Sequence, residues 1–339
     1  MNIKSLLLGS AAALAAVSGA QAADAIVAAE PEPLEYVRVC DAFGTGYFYI
    51  PGTETCLKIS GYVRTQLEYK ENGFSDDSTD LNAFTRGQLV FEAKNDTEYG
   101  ALSSAIVINA EQDDGVYLDA AWISIAGFDV GNYYTWWDAD LNGEADVLSS
   151  NDTSLNGIRY TYDGGTFQVG VAVEELEGAT ALFGTGDNGN DDIGAGGLIG
   201  FSLGGVKATI IGSYDFNAEE AAFRAIVTAD IGPGTLGIAG IYATDANYYW
   251  DVSEWSAYAE YKIQATDKLF ITPSAQYFGD VDFVNVDAWR VGLTAGYQIT
   301  EGLRSLATVS YTDADEAGNG LTGASDSQWR GFVRLQRDF

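Results

Sequence analysis

The sequence predicts an all-β chain, a 16-stranded antiparallel transmembrane β-barrel, on three observations. With 40 Gly, 20 Tyr and 16 Phe beside one Met and five Pro, its composition favours strands and turns over helices. From Leu57 onward, segments of roughly ten residues alternate apolar and polar side chains, and a period of two belongs to a strand. The links between these segments are alternately very short and long, as in a barrel with tight turns at one rim and long loops at the other.

Charge and residue usage remove several functions. The 339 residues carry 49 Asp+Glu against 17 Lys+Arg, a formal net charge of -32, which opposes binding to nucleic acid phosphates. No His is present, so Ser-His-Asp and Cys-His nucleophile sites, His-ligated zinc and His general bases are excluded within one chain. Asp/Lys chemistry in a barrel enzyme is not excluded, but the missing His disfavours it. The expectation is a non-enzyme with no catalytic residue, cofactor or metal.

Residues 1–22 read as a signal peptide: Lys4 gives the positive start, Leu6 to Val17 the short apolar stretch, and Ala20-Gln21-Ala22 the small-x-small pattern before cleavage. Beyond it no run of about 18 apolar residues occurs, so no membrane-spanning helix is expected. Residues 23–56 form a lead-in, of which 24–35 is Ala/Glu/Pro-rich and includes Glu30-Pro31-Glu32-Pro33, a composition that cannot build a core. Cys40 and Cys56 are the two cysteines, and in an oxidising compartment such a pair is expected to be bridged. The alternative, a two-thiolate metal site, lacks the two further ligands zinc needs. A bridge closing this small loop contributes about 3 kcal/mol in the chain-entropy model.

From 57 to 339 the barrel is expected. In 289–299, Trp289, Val291, Leu293, Tyr297 and Ile299 share one face, and Arg290, Thr294 and Gln298 the other. The segments 206–216 and 303–311 behave likewise. A soluble sandwich would alternate in the same way, so the links decide. Seven tight ones fall at 97–99, 127–128, 163–165, 204–205, 232–234, 264–267 and 300–302. Eight longer, acidic ones fall at 71–80, 111–115, 136–153, 176–192, 217–220, 245–254, 279–285 and 313–326, so sixteen strands are joined. Aromatics on the apolar face near strand ends, among them Tyr160, Phe167, Trp255, Tyr277, Trp289 and Tyr311, suit two interfacial girdles. The last strand carries Trp329, Val333, Leu335 and Phe339 on one face, and a terminal aromatic resembles the assembly signal of outer-membrane barrels. Arg337 interrupts that face and can snorkel to the interface.

The stretch 39–64, VCDAFGTGYFYIPGTETCLKISGYVR, with its paired cysteines, its PGTETC segment and the first strand KISGYVR, resembles the opening of the porin family of alphaproteobacterial outer membranes. Signal peptide, opening motif, strand count, long third loop and terminal Phe extend the resemblance over nearly the whole chain. It implies a homotrimer of 16-stranded barrels in the lipid bilayer, each with a water-filled pore narrowed by an inward-folded third loop. The expected function is a general diffusion porin of the Gram-negative outer membrane, passing ions and small hydrophilic solutes passively with a weak cation preference. A solute-specific channel, for sugars for example, is the alternative.

Strand parity selects the lining. Arg64 on the first strand, Arg86 on the second and Arg334 on the last face inward, and those three strands are neighbours once the barrel closes. They form a candidate basic ladder, with Arg330 nearer the loop rim. If the third loop folds inward as the resemblance implies, Asp138, Asp140, Glu144 and Asp146 face the ladder, and the opposed charges set a transverse field. The alternative is local pairing of the arginines with Glu68 and Glu92, and loop acids that are simply solvated. Tyr133, Tyr134, Trp136 and Trp137 are expected to anchor the third loop, the other reading being an aromatic slide for sugars. Tyr248-Tyr249-Trp250 reads as loop packing rather than a ligand patch. The acidic stretches 187–192 and 313–316 lack the alternating ligands of a calcium loop, although weak divalent binding could bridge loops to lipopolysaccharide. Gly194, Gly196 and Gly197 mark tight packing at a strand entrance.

Overall fold

The computed structural model describes residues 38–71, 80–112, 114–176 and 192–339. The signal-peptide segment 1–22, the lead-in 24–35, most of the links 71–80 and 176–192, and the acidic stretch 187–191 lie outside the described residues.

A short strand β1 (Phe48–Tyr49) pairs with the start of β2 (Cys56–Lys70) through Phe48↔Leu57 and Tyr49↔Cys56. Then follow β3 (Leu81–Thr97), β4 (Gly100–Glu111), β5 (Gly115–Ile125), β6 (Phe128–Tyr134), β7 (Ser154–Asp163), β8 (Phe167–Glu175), β9 (Ile193–Leu203) and β10 (Val206–Asp215). The series ends with β11 (Glu220–Ile231), β12 (Gly234–Ala243), β13 (Ser253–Gln264), β14 (Leu269–Val281), β15 (Val286–Thr300), β16 (Leu303–Ala314) and β17 (Ser327–Asp338). Each of β2 to β17 pairs antiparallel with the next, and β17 pairs antiparallel with β2 from Arg330↔Lys70 to Asp338↔Tyr62. The sixteen strands therefore form a closed barrel in which every strand has two partners, the condition for crossing a bilayer without unpaired backbone. Phe339 completes the seam by exchanging both backbone hydrogen bonds with Gly61 at 3.0 Å.

The period-two pattern fixes the faces. On β2 and β17, Val63 (51% exposed) and Leu335 (42% exposed) point out, while Gln66 and Gln336 are buried on the inner face. The same division holds on β15, with Val291 and Leu293 outside and Arg290 and Thr294 buried. An apolar outer band on every side is what lipid contact requires. Its loop-side edge is aromatic: Trp255 stacks on Tyr277 at 5.2 Å, and Trp289, Tyr311 and Trp329 form a chain with centroids 5.6 and 4.9 Å apart. At the other rim, Phe128 lies 4.8 Å from Tyr160 and Tyr162 lies 5.7 Å from Phe167. The tight turns there use left-handed glycines, as at Gly204 (φ 61°) and Gly302 (φ 67°), where a Cβ would be strained. The Arg337 guanidinium bonds the Gly302 carbonyl at 3.3 Å, at that same polar rim.

Cys40 and Cys56 form a disulfide, with Cα atoms 5.9 Å apart. It is buried with Tyr47. Tyr47 donates to Glu92, and the ammonium groups of Lys58 and Lys94 stand 5.8 and 5.2 Å from its ring. The cysteine-bounded segment is thus docked on inward-facing groups of β2 and β3 at the short-turn rim. The sequence gives only its tether; the docking follows from the lumen parity of Lys58, Glu92 and Lys94.

Candidate functional site

Strand β6 stops after Tyr134, and a turn at Trp136–Asp138 redirects the chain; Thr135 Oγ1 caps it by accepting from the Trp137 amide at 3.3 Å. The segment 135–153 that follows binds side chains of the opposite wall. Glu260 on β13 accepts from the backbone amides of Asn142 (2.8 Å) and Gly143 (2.7 Å). Thr294 on β15 accepts from the Glu144 amide at 3.0 Å. Gln276 on β14 accepts from the Val147 amide and donates to the Val147 carbonyl, both at 2.8 Å. On β11, the buried Arg224 donates to the carbonyls of Trp136 (2.7 Å), Trp137 (2.9 Å) and Leu148 (2.6 Å). All four strand residues carry inner-face parity. Backbone polar groups away from regular structure need partners, and these side chains supply them.

The arginine ladder occupies the positions that parity gives it. Arg64 and Arg86 are direct cross-strand partners on β2 and β3. Arg64 donates to Gln336 at 2.8 Å and lies 4.7 Å from the Tyr62 ring, both neutral groups. Arg86 pairs with Glu111 on β4, a partner absent from the sequence reading. Arg334 donates to Gln66 and, through Nη1, to Glu144 Oε1 at 3.1 Å, so one loop carboxylate meets the ladder.

The other loop acids sit elsewhere. Asp138 accepts from Thr153 Oγ1 at 2.7 Å, because the turn at Trp136–Asp138 brings it back against the base of its own loop. Asp140 and Asp146 lie beside each other, and both are near the Arg224 guanidinium. Burial pushes the Asp140 carboxyl up, and burial followed by the charge of Asp140 pushes Asp146 up to about 8. Two carboxyls held this close retain one proton at neutral pH. Arg290, buried on β15 and donating to Thr312 at 2.8 Å, is the second arginine close to Asp146. Arg224 and Arg290 are loop partners that the sequence does not single out. Parity alone puts both inside, but their carbonyl and carboxyl partners belong to a segment without periodicity.

The aromatics at the root of the segment are held on all sides. Tyr133 is fully buried, with its hydroxyl 3.5 Å from Glu174 and the Arg159 guanidinium 4.4 Å over its ring. Tyr134 donates to Asp119. Trp136 packs so closely on Gly170 that a Cβ there would approach it to 2.5 Å. Trp137 donates to Ser213 at 3.0 Å and lies 6.1 Å from the Tyr249 ring. Tyr248, Tyr249 and Trp250 are buried in the same cluster, with Tyr249 donating to Glu174 at 2.9 Å and Asn151 donating to the Tyr248 carbonyl at 2.7 Å. Gly194 leaves room for the Tyr249 hydroxyl, which an added Cβ would approach to 2.0 Å.

Comparison with known proteins agrees with this architecture. The family described as the porin subfamily matches residues 24–335. The chain is 51% identical to the putative outer membrane protein y4fJ of Sinorhizobium fredii, over 100% of this chain and 99% of that protein. It is 34% identical to porin Omp2a of Brucella melitensis, with all of both chains covered. Among solved structures, the trimer form of OmpT from Vibrio cholerae superposes with a TM-score of 0.66 at 14% identity, covering 85% of this chain and 100% of that one. The chain belongs to the porin subfamily of outer-membrane channel proteins.

Proposed function

We propose that the protein is a general diffusion channel, passing ions and small hydrophilic solutes down their gradients, with its narrowest zone where segment 135–153 crosses the lumen. The observation that carries this reading is the Glu144–Arg334 pair, in which a loop carboxylate meets an arginine of the seam strand at 3.1 Å. Opposed charges there orient water and dipolar solutes, and the gap between loop and wall sets the size cutoff. Arg64, Arg86 and Arg334 line one side; Glu144, Asp140 and Asp146 belong to the loop, Asp138 to its base, and Tyr133, Tyr134, Trp136 and Trp137 hold the loop in position. Because the chain carries a net charge of -32, much of it on long loops, cations are concentrated at the mouth, and the lumen arginines oppose this, giving a weak net cation preference. A trimer of such barrels in a bilayer faced by lipopolysaccharide suits the apolar outer band, and OmpT, a structural neighbour, occurs in a trimer form.

Single-channel recording with sugars of increasing size tests the reading. Conductance should rise linearly with salt concentration and sugar permeation should fall smoothly with size. Saturation and block by one solute would point instead to a solute-specific channel.

A further inference from the structure

Between the constriction and the short-turn rim lies a cavity of about 510 Å³ with an unusual wall for so acidic a protein. Of the 17 Lys and Arg in the chain, five line it: Arg64, Lys262, Lys268, Arg304 and Arg334. Two acids, Glu144 and Asp267, share the wall. Glu144 is already engaged by Arg334, and Arg304 is paired with Asp338 at 3.3 Å. The other three cations have neutral partners. Arg64 donates to Gln336 at 2.8 Å, Lys262 to Asn142 Oδ1 at 3.2 Å and Lys268 to the Ile299 carbonyl at 3.2 Å, and none of them forms an ion pair among the described residues.

Three cations without ion-pair partners among the described residues face one partly enclosed space, and Asp267 is the one lining carboxylate not engaged by an arginine, so the balance of the wall is a net positive potential. In a narrow water-filled lumen with low-dielectric walls that potential concentrates anions. The spread of the three over β2, β13 and the β13–β14 turn suits an anion with several separated charges better than a single point charge. Leu141 and Phe270 add an apolar flank.

We infer that this turn-side cavity is a binding station for small multivalent anions bearing carboxylates or phosphates, recognised by Arg64, Lys262 and Lys268. The inference rests on the diffusion-channel reading and adds to it an anionic solute class held transiently on the inner side of the constriction.

Potassium citrate and potassium pyrophosphate are the probes, with raffinose as a neutral comparator. Added to either side of a conducting channel in dilute KCl, each anion should interrupt the current saturably, more strongly from one side than the other, and less as KCl rises. Raffinose should not. Replacing Lys262→Gln together with Lys268→Gln should weaken the block by about fivefold for each charge removed, the effect of one opposite charge at roughly 4 Å in a water-like dielectric. Lys262→Arg with Lys268→Arg should retain it. Block by only one of the two anions would assign the station to that anion class. An unchanged block in the neutral variant, or equal block by raffinose, would overturn the station while leaving the channel intact. Calorimetric titration of the detergent-solubilised protein with citrate reads the station without any current; absence of binding there overturns it too, and binding without conduction would instead overturn the diffusion reading.

Discussion

Glu144 Oε1 accepts a hydrogen bond from Arg334 Nη1 at 3.1 Å, joining the tip of a loop rooted on β6 and β7 to the strand that closes the barrel. Both side chains are partly solvent-exposed, so the pair fixes loop position and local field more than it adds stability.

Selectivity should follow these charges. Arg64→Ala or Arg334→Ala should strengthen cation preference, and Glu144→Gln should weaken it, each read as a reversal potential under a KCl gradient. Lumen charges at a constriction are screened less than exposed loop charges, whose reach is about 8 Å at physiological ionic strength, so these effects should persist as salt rises. Arginine variants that altered neither selectivity nor conductance would remove this wall from the constriction.

The carboxyl pair of the loop predicts a pH dependence. Asp146 is pushed up to about 8, so it holds a proton at neutral pH and gains a charge as pH rises through that value. Cation preference should increase over that interval, and Asp146→Asn should flatten the response. Stability runs the other way. In the unfolded chain the carboxyl ionises near about 3.9, so between about 4 and about 8 the folded protein binds more protons and its stability falls as pH rises. Thermal unfolding in detergent across that range, compared with Asp146→Asn, checks the sign.

Arg224 should be the main anchor of the loop. Arg224→Met removes the donor to three carbonyls, and each one left buried and unsatisfied costs about 1–3 kcal/mol. The barrel should still form while the loop loosens, giving larger and noisier single-channel currents and faster proteolysis within 139–153. A variant with quiet, wild-type currents would show that the loop is held by Glu260, Thr294 and Gln276 instead.

The bridge between Cys40 and Cys56 should appear as a mass two hydrogens below that of the reduced protein. Reduction should release the segment containing Tyr47 from Lys58, Glu92 and Lys94, making it accessible to protease while the barrel stays folded, which a gel-migration difference between unheated and boiled samples should show before and after reduction alike. Free thiols in protein alkylated during extraction would refute the bridge.

What the sequence determined by itself is everything that repeats. Alternation along Trp289 to Ile299, or Val206 to Phe216, fixes which side chains meet lipid and which meet water, since a strand offers only two faces. Alternating link lengths give the strand count, and closure then makes the strands of Arg334, Arg64 and Arg86 neighbours. The tertiary structure decided what has no period. The path of segment 135–153 is set by the Trp136–Asp138 turn and by buried partners 70 or more residues away in the chain, such as Ser213 and Arg224. That path divides the four loop acids, sending Glu144 to the ladder, Asp138 to Thr153, and Asp140 with Asp146 toward Arg224 and Arg290. Sequence alone carries no trace of this division, because a loop's hydrogen bonds are satisfied by whichever wall it reaches, and only the closed barrel brings that wall within reach.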